Sequence, residues 1–294
     1  MLLWLVLSEG IVGQPIDSLQ LDGPRRLRTV IATEVLLYTG TMVALDQLWY
    51  RDYPRQSFHS FNDNGQWLQM DKVGHAMTTY YVGLLGMDSY RWAGMDEKRS
   101  RYWGGATGWL FLSTVEIFDG FSEEWGFSWG DFGANTMGAA MLIGQDAAWG
   151  EQRITFKFSF RESPYAQLRP GTLGDGWHEE VLKDYNGQTY WLSANVKSFL
   201  QEESKFPDWL SLAVGYGVDQ QVVGEGVYIR QTDDGFRRLA GVRQFYLAPE
   251  VDLWRIQTES KVLRTVFRTI GFIKLPLPAL VLQNGKLRSQ GFRF

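Results

Sequence analysis

The sequence predicts an α+β fold, in which an N-terminal, membrane-associated four-helix bundle precedes a mainly antiparallel β region with one amphipathic helix. Four apolar segments of helical length lie between residues 30 and 149. After Gly150 apolar residues recur at every second position, as they do in half-buried strands. The chain is also poor in charge and rich in aromatic residues, at 21% and 15%. An average soluble domain has about 25% charged residues, and amphipathic aromatics concentrate at membrane interfaces.

The composition excludes several classes of function. The chain has 29 Lys and Arg against 33 Asp and Glu, a formal net charge of -4, so we expect no nucleic-acid partner. It has no cysteine, which removes disulfides, thiolate nucleophiles and Cys-ligated zinc. A three-histidine zinc site would need all 3 histidines. The sequence also contains no P-loop and no dinucleotide fingerprint.

The N-terminal residues predict a processing segment. Residues 1–13 have the length of a signal peptide's apolar core, but they lack a basic start and contain Glu9. We interpret residues 1–28 as a degraded or partial signal segment followed by a polar linker. Two domains then follow, a helical one over 29–150 and a mainly β one over 151–294.

The helical domain contains the four apolar segments. The first is just long enough to cross a bilayer, but Glu34 and Asp46 within it each cost about 2.5–3.5 kcal/mol at mid-span. The uncharged stretches of the other three, about a dozen residues each, suit buried helices or short helices dipping into a bilayer. Gly104 with Gly108, and Ala140 with Gly144, have the spacing that allows helix backbones to approach closely. The four segments are 30–49, 73–90, 102–118 and 132–149.

In the β region, apolar and polar residues alternate most clearly over 154–160, where Ile154, Phe156, Phe158 and Phe160 share one face. Residues 257–270 predict a helix with basic residues along one side. The six candidate strands are 154–160, 189–195, 210–218, 226–231, 238–251 and 273–282.

Polar residues in or next to three of the apolar segments predict a shared site. Each predicted helix carries two polar residues three or four positions apart, so that both project from one face. Ionisable groups in such segments are costly and therefore indicate function. If the three faces converge, they form one cluster, which Lys72 adjoins. The pairs are Asp71 with His75, Glu116 with Asp119, and Asp131 with Asn135.

Local explanations also account for these residues. Asp71 precedes an apolar run and can cap its helix. Ser128 and Asp131 have the spacing of a capping box. Glu116 can pair with Lys72, Arg99 or Arg101, and Asn135 can bond across helices. A lone histidine such as His75 is more often an interior hydrogen-bonded residue than a ligand.

These same residues carry a resemblance to a known family. The chain resembles the YfiM-like "predicted periplasmic lipoprotein" domain of unknown function, and over residues 28–294 it is similar to the longer Bacteroidetes-type members. A fainter resemblance links it to VanZ-like membrane proteins. The motif reads Asp71-Lys72-x-x-His75, Glu116-x-x-Asp119-Gly120 and Gly126-Phe127-Ser128-x-x-Asp131-x-x-x-Asn135-x-x-Gly138.

The resemblance implies a location in the bacterial cell envelope, at the outer membrane or on the periplasmic side, and it brings no established reaction. The sequence departs from the lipoprotein description because it has no cysteine to acylate. We therefore expect the helices or the β region to provide any anchoring.

Two hypotheses of function follow. The favoured one is a structural or assembly factor of the envelope, with membrane lipid and other envelope proteins as partners. The alternative is an envelope hydrolase acting on a lipid or cell-wall substrate. There, His75 is the general base, oriented by Asp71, and Glu116, Asp119 and Asp131 bind a divalent cation. Oxygen ligands favour Mg²⁺, Ca²⁺ or Mn²⁺. Lys72, Asn135 and Ser128 complete the cluster.

Overall fold

The computed structural model describes residues 23–51, 53–232 and 235–292. These residues form two compact units, one made of 23–63 and 71–152, the other of 64–70 with the described residues from 153 onward. Long helices make up the first unit and an antiparallel sheet dominates the second, which confirms the α+β class. The predicted signal segment lies outside the described residues, and residues 23–28 of the predicted linker are helical.

Four long helices form the first unit. Helix α1 continues into a short π-helix, Asp46–Tyr50. The side chains of Asp96 and Ser128 cap the N-termini of α3 and α4, and Gly150 ends α4 in the left-handed conformation with φ 70°. In the part of the chain that the structure describes, no helix combines the length and apolarity needed to cross a membrane. The predicted membrane association of these helices is not confirmed. The helices are α1 (Gly23–Leu45), α2 (Met70–Trp92), α3 (Glu97–Gly120) and α4 (Trp129–Trp149).

Glycines allow α2 to pack closely against its neighbours. A Cβ atom added to Gly108 would lie 2.2 Å from the Thr79 carbonyl oxygen, and one added to Gly138 would lie 2.2 Å from the Ala76 oxygen. The Gly104–Gly108 prediction is therefore confirmed. The matching prediction for Ala140 and Gly144 is wrong at Gly144, where a Cβ would meet nothing within 4 Å.

The second unit contains a six-stranded antiparallel sheet in the order β1-β2-β3-β6-β7-β8, and β4 and β5 form a separate pair. Two short helices and one ten-residue helix connect the strands. The strands are β1 (Ile154–Phe160), β2 (Gln188–Asn195), β3 (Leu210–Asp219), β4 (Val227–Thr232), β5 (Gly235–Ala240), β6 (Val242–Val251), β7 (Ala279–Gln283) and β8 (Lys286–Gln290); the helices are α5 (Pro170–Leu173), α6 (Trp177–Lys183) and α7 (Lys261–Ile270).

Several predicted boundaries in this unit are corrected. The single strand expected over 238–251 is two strands that belong to different sheets and are separated at Gly241. The strand expected over 273–282 begins only at Ala279, because prolines at 276 and 278 lack the N–H that a ladder needs. The helix expected from residue 257 begins at Lys261, after its N-cap Ser260. Helices α5 and α6 and strand β8 were not predicted.

The two faces of the large sheet have opposite character. One face is buried and mixes polar residues, among them Lys157, Ser193 and Glu250, with an apolar core cluster formed by Trp191, Ala213, Tyr246, Ala248, Ala279 and Val281. Lys157 on β1 lies 3.2 Å from Asp252, just beyond β6. The other, which we call the outer face, presents an exposed set of apolar side chains, Leu192, Leu212, Val214, Phe245, Leu247, Leu280 and Leu282.

Residues 64–70 interrupt the helical unit in sequence and pack with the second unit. Trp67, Leu68 and Gln69 all have positive φ, at 47°, 51° and 64°, a conformation that costs roughly 1–2 kcal/mol per residue. Contacts to the second unit hold this left-handed turn. The Trp67 N–H donates to the Gly224 carbonyl at 2.7 Å, and Arg243 donates to Gln69 at 2.7 Å.

Candidate functional site

The polar cluster lies entirely within the first unit. Its residues come from the first turns of α2 and α4 and from the last turns of α3. Because residues three or four positions apart share a helix face, each predicted pair points the same way. The structure brings the three pairs together around Lys72 and His75.

His75 is the centre of one half of the cluster. Its Nδ1 lies 3.1 Å from Asn135 Oδ1 and 3.6 Å from Glu116 Oε1, and its Nε2 lies 3.7 Å from Asp71 Oδ1. Asn135 Oδ1 also accepts a hydrogen bond from Thr79 at 3.1 Å. Since an amide oxygen only accepts, His75 Nδ1 donates to it, and Nε2 is the acceptor nitrogen of the neutral ring. Asn135 therefore sets the tautomer.

Lys72 is the centre of the other half. Its ammonium group lies 2.8 Å from Asp63 Oδ1 and 3.1 Å from Asp131 Oδ1. The Ser128 hydroxyl donates to Asp63 at 2.6 Å. This half thus joins α2 and α4 to the loop that contains Asp63, a residue that sequence reasoning did not identify.

The capping alternative is confirmed for Ser128 and only half realised for Asp131. The Asp131 N–H donates to the Ser128 hydroxyl at 3.1 Å. A complete capping box would have the Asp131 carboxylate accept from the Ser128 N–H. That N–H donates instead to Glu116 Oε2 at 3.2 Å, so the Asp131 carboxylate reaches Lys72 rather than its own helix terminus.

The predicted pairing of Glu116 with Lys72, Arg99 or Arg101 is wrong. Arg99 pairs with Asp96, and Arg101 pairs with Asp146 at 2.6 Å. Glu116 contacts His75 and the Ser128 N–H instead. The predicted N-cap role of Asp71 is not what the structure shows, because Asp71 is already inside α2, in its first turn.

Asp119 connects the cluster to the end of α1. The Tyr50 hydroxyl donates to Asp119 Oδ1 at 2.7 Å. Burial and the nearby Asp119 carboxylate raise the pKa of Tyr50, so the phenol stays protonated and continues to donate. Tyr50 is a second residue that sequence reasoning missed.

The segment before α4 is held in place by backbone pairing. The His59 N–H donates to Gly120 at 2.9 Å, and the Phe127 N–H donates to His59 at 3.0 Å. The His59 ring also lies 3.1 Å from the Trp125 carbonyl oxygen. This pairing fixes the position of Ser128, and through it the start of α4.

Burial raises the pKa of three carboxyl groups in the cluster towards neutral pH. It raises the pKa of Glu116 to about 8, with further contributions from Asp131 and Asp119. It raises the pKa of Asp131 to about 7, helped by Asp71, and that of Asp119 to about 6. Burial lowers the pKa of His75, but Asp71, Asp131 and Glu116 together outweigh it and leave the pKa raised.

Asp146, at the other end of the same helices, is paired with cations in a way that the carboxyl groups of the polar cluster are not. Arg91 and Arg101 each donate to its carboxylate at 2.6 Å. Although burial alone would raise it, these bonds hold the pKa of Asp146 below its usual value. The polar cluster instead places five carboxyl groups around one lysine and one histidine; they belong to Asp63, Asp71, Glu116, Asp119 and Asp131.

One subset of the cluster has the geometry of a cation site. Ligand atoms of Asp71, His75 and Asp131 all lie within 4.8 Å of one another. Of the predicted ligands, Asp131 belongs to this subset, whereas Glu116 and Asp119 contact Ser128 and Tyr50. The catalytic and metal-binding roles of all these residues stay predictions.

Residues 60–143 match the family model described as "Predicted periplasmic lipoprotein (DUF2279)". The predicted family resemblance is confirmed over this part of the chain, which contains Asp63 and every predicted site residue. No curated protein and no solved structure matches the chain. The family description is consistent with a cell-envelope protein. The VanZ-like resemblance and the outer-membrane location stay predictions.

Proposed function

We propose that the first unit of this cell-envelope protein hydrolyses a lipid or cell-wall substrate, with His75 as general base. The observation that carries the proposal is a partly exposed histidine with a set tautomer, surrounded by carboxyl groups whose pKa values are raised to between about 6 and 8. General acid–base groups are most effective when their pKa lies near the working pH, and strongly perturbed groups concentrate at functional sites.

Each residue has a role in this reaction. His75 Nε2 accepts a proton from the attacking water, and Asp71, 3.7 Å away, stabilises the imidazolium that forms. Asn135 orients the ring through Nδ1, the role that we first expected of Asp71. Lys72 keeps Asp131 and Asp63 in place beside the histidine.

A divalent cation would use the same nitrogen atom. Asp71, His75 and Asp131 offer one ligand each, and Mg²⁺, Ca²⁺ or Mn²⁺ would offset the excess of carboxylates. Since Nε2 cannot be both ligand and base, the two roles exclude each other. Calorimetric titration of the purified chain with Mn²⁺, compared with His75→Gln, distinguishes them. Binding that the variant loses would assign His75 to the metal.

The hydrolase proposal is tested with purified full-length chain on peptidoglycan sacculi and on phospholipid vesicles, by measuring released products. We expect turnover on one of them, and a loss of about 10²–10⁴-fold in His75→Gln, which keeps polar atoms but cannot act as base. His178→Gln is the matched control, because His178 lies exposed in α6. Equal turnover in all three proteins, or none on either substrate, would contradict the proposal.

A structural or assembly role is the second candidate, supported by the bridging position of Lys72. Its ammonium joins Asp63 and Asp131, and Ser128 extends the connection to Glu116 on α3. On this hypothesis the envelope phenotype of each cluster variant follows its stability. A folded His75→Gln protein with a wild-type phenotype would favour it over the hydrolase.

A further inference from the structure

The large sheet is apolar on the side where a sheet is usually polar. Antiparallel sheets commonly place apolar residues towards the core and polar residues towards water. Here Lys157, Lys274 and Glu250 are fully buried, while the seven apolar side chains that define the outer face are 37% to 52% exposed. Exposed apolar patches of this extent mark surfaces that contact a membrane or another protein.

The outer face is continuous across the sheet. One row of paired residues contains Leu192, Val214, Leu247 and Leu280. A parallel row, two residues along the strands, contains Tyr190, Tyr216, Phe245 and Leu282. Tyr216 is half-buried and its hydroxyl donates to the Leu68 carbonyl, so residues 67–69 border the face at this position. With Leu212 in a third row, the face extends about 14 Å along β3. That is roughly half of the 30 Å hydrocarbon core of a bilayer, or one leaflet.

The buried face is stabilised by its own ion pairs, so the orientation of the sheet is well specified. Lys274 lies 2.9 Å from Glu250 and over the ring of Trp191 at 5.1 Å. Lys157 lies 3.2 Å from Asp252 and over the ring of Trp254 at 5.2 Å. Because a one-residue slip would exchange the two faces of a strand, these buried pairs keep the apolar residues outside.

Helix α7 precedes the segment that pairs with the edge strand β1, and it carries exposed apolar residues together with positive charge; its last turn contacts Trp254, which donates to the Arg268 carbonyl at 3.2 Å. Val262, Leu263 and Val266 are exposed on it, as is Ile270 at its end. Ile273 follows and pairs with Phe158 of β1, which extends the aromatic row to the helix. The helix also carries Lys261, Arg264 and Arg268. An amphipathic helix with basic residues and an exposed apolar stripe is typical of segments that lie in a membrane interface.

We propose that the outer face and α7 together form a lipid-binding surface that inserts into one leaflet of an anionic membrane. The apolar rows contact acyl chains, and the basic residues of α7 contact headgroup phosphates. The charge of α7 favours lipid over a second copy of this chain, because the basic residues of two copies would repel each other. The surface lies in the second unit, so the proposal does not depend on the proposed hydrolase.

A vesicle-flotation experiment tests the proposal. The full-length chain is diluted from detergent, mixed with vesicles and centrifuged. We use phosphatidylethanolamine and phosphatidylglycerol at 3:1, and phosphatidylcholine alone as the neutral probe. The wild-type chain should float with the anionic vesicles. Leu247→Gln with Leu282→Gln should weaken binding by at least about tenfold, and Lys261→Gln with Arg264→Gln should remove the preference for anionic lipid. Leu110→Gln with Leu182→Gln is the matched control, since both leucines are exposed elsewhere.

Circular dichroism checks that each variant is folded, and Val214→Thr, which keeps shape and β propensity, replaces the double variant if that one unfolds. Failure of the wild-type chain to float, or equal binding by the outer-face and control variants, would overturn the proposal. The proposal would also be overturned if light scattering showed a dimer in the absence of lipid and only the outer-face variant were monomeric.

Discussion

Lys72 is the residue on which one half of the cluster depends. It contacts two carboxylates at once, Asp63 and Asp131, and both it and Asp131 are largely shielded from water. Removing the cation from such a site leaves shielded carboxylates without a charged partner, which is strongly destabilising. The ion pairs of Lys72 therefore contribute more to the stability of the folded chain than a surface ion pair would.

We expect Lys72→Met to lower the free energy of unfolding by about 3 kcal/mol, because Asp63 and Asp131 lose their shared partner. Urea unfolding followed by circular dichroism measures this loss. Lys183→Met is the control: Lys183 pairs with Glu179 on the surface of α6, where such pairs contribute little. Equal stability of the two variants would show that Lys72 is not a structural partner.

Glu116 predicts a pH dependence of stability. Its pKa is raised from 4.5 to about 8 in the folded chain, so the folded state binds this proton more tightly than the unfolded state does. The resulting stabilisation is fully present below about pH 4.5 and is lost as the pH rises through 8. In Glu116→Gln this contribution is absent. Unfolding measured from pH 5 to pH 9 should therefore show a smaller decrease in the variant than in the wild type; parallel curves would refute this.

Helical spacing is sufficient to predict which polar residues converge, since each pair shares a face. Thr79 was also predictable, because it continues the spacing of four set by Asp71 and His75. Tyr50 and Asp63 were not, because one lies in a π-helix and the other in an irregular loop, where spacing carries no information on direction. The partners of Glu116 were not predictable either, because the Ser128 N–H donates to Glu116 rather than to Asp131, as a complete capping box would require.

At the scale of elements, close packing of α2 depends on glycine at particular positions. Gly108 contacts the Thr79 carbonyl so closely that a Cβ would overlap it, whereas Gly144 faces open space. The same spacing in sequence thus has different consequences on α3 and α4. Sequence alone does not distinguish them, because the distinction lies in which face meets another helix.

Gly108→Ala should destabilise the chain by about 1–3 kcal/mol, since α2 and α3 must move apart. Gly144→Ala should instead stabilise it by about 0.5–1 kcal/mol, through helix propensity alone. Thermal unfolding of the two single variants checks both signs. A change of the same sign in both would contradict the packing described here.

Turn chemistry explains the errors in the β region. Asn284 and Gly285 both have positive φ, at 50° and 71°, as a two-residue hairpin turn requires, and Asn-Gly is a strong sequence signal for one. Strand β8 was predictable from that signal, although its own residues are mostly polar. The two prolines before β7 could likewise have shortened the predicted strand.

At the scale of the whole molecule, the α+β class and the change of periodicity near Gly150 follow from sequence. The assignment of residues 64–70 to the second unit does not. Trp67 packs with a cluster formed by Ala166, Leu173, Val222 and Leu239. These partners lie about a hundred residues or more further along the chain, and local patterns do not report such separations. The burial of the sheet face that carries Lys157 and Glu250 is equally non-local, because alternation predicts two faces without saying which one is covered.

Trp67→Ala should destabilise the second unit by roughly 2–4 kcal/mol, because it removes a large side chain from that cluster. Trp177→Ala provides the control, since Trp177 is 63% exposed. Hydrogen exchange of the full-length chain resolves the two units. Faster exchange confined to 71–152 in the Trp67 variant would contradict the assignment of this segment.

The left-handed turn at Trp67–Gln69 is synthesised long before the residues that hold it. Its partners Tyr216 and Arg243 lie 148 and 174 residues later than the residues they bind. At synthesis rates of about 5–20 residues per second, they emerge roughly 7–35 s after the turn itself. At the start of that interval the newly made helices contain, between Asp63 and Asp71, a peptide with an apolar tryptophan whose partners in the second unit are not yet synthesised. This peptide is where we expect chaperones and proteases to meet the nascent chain.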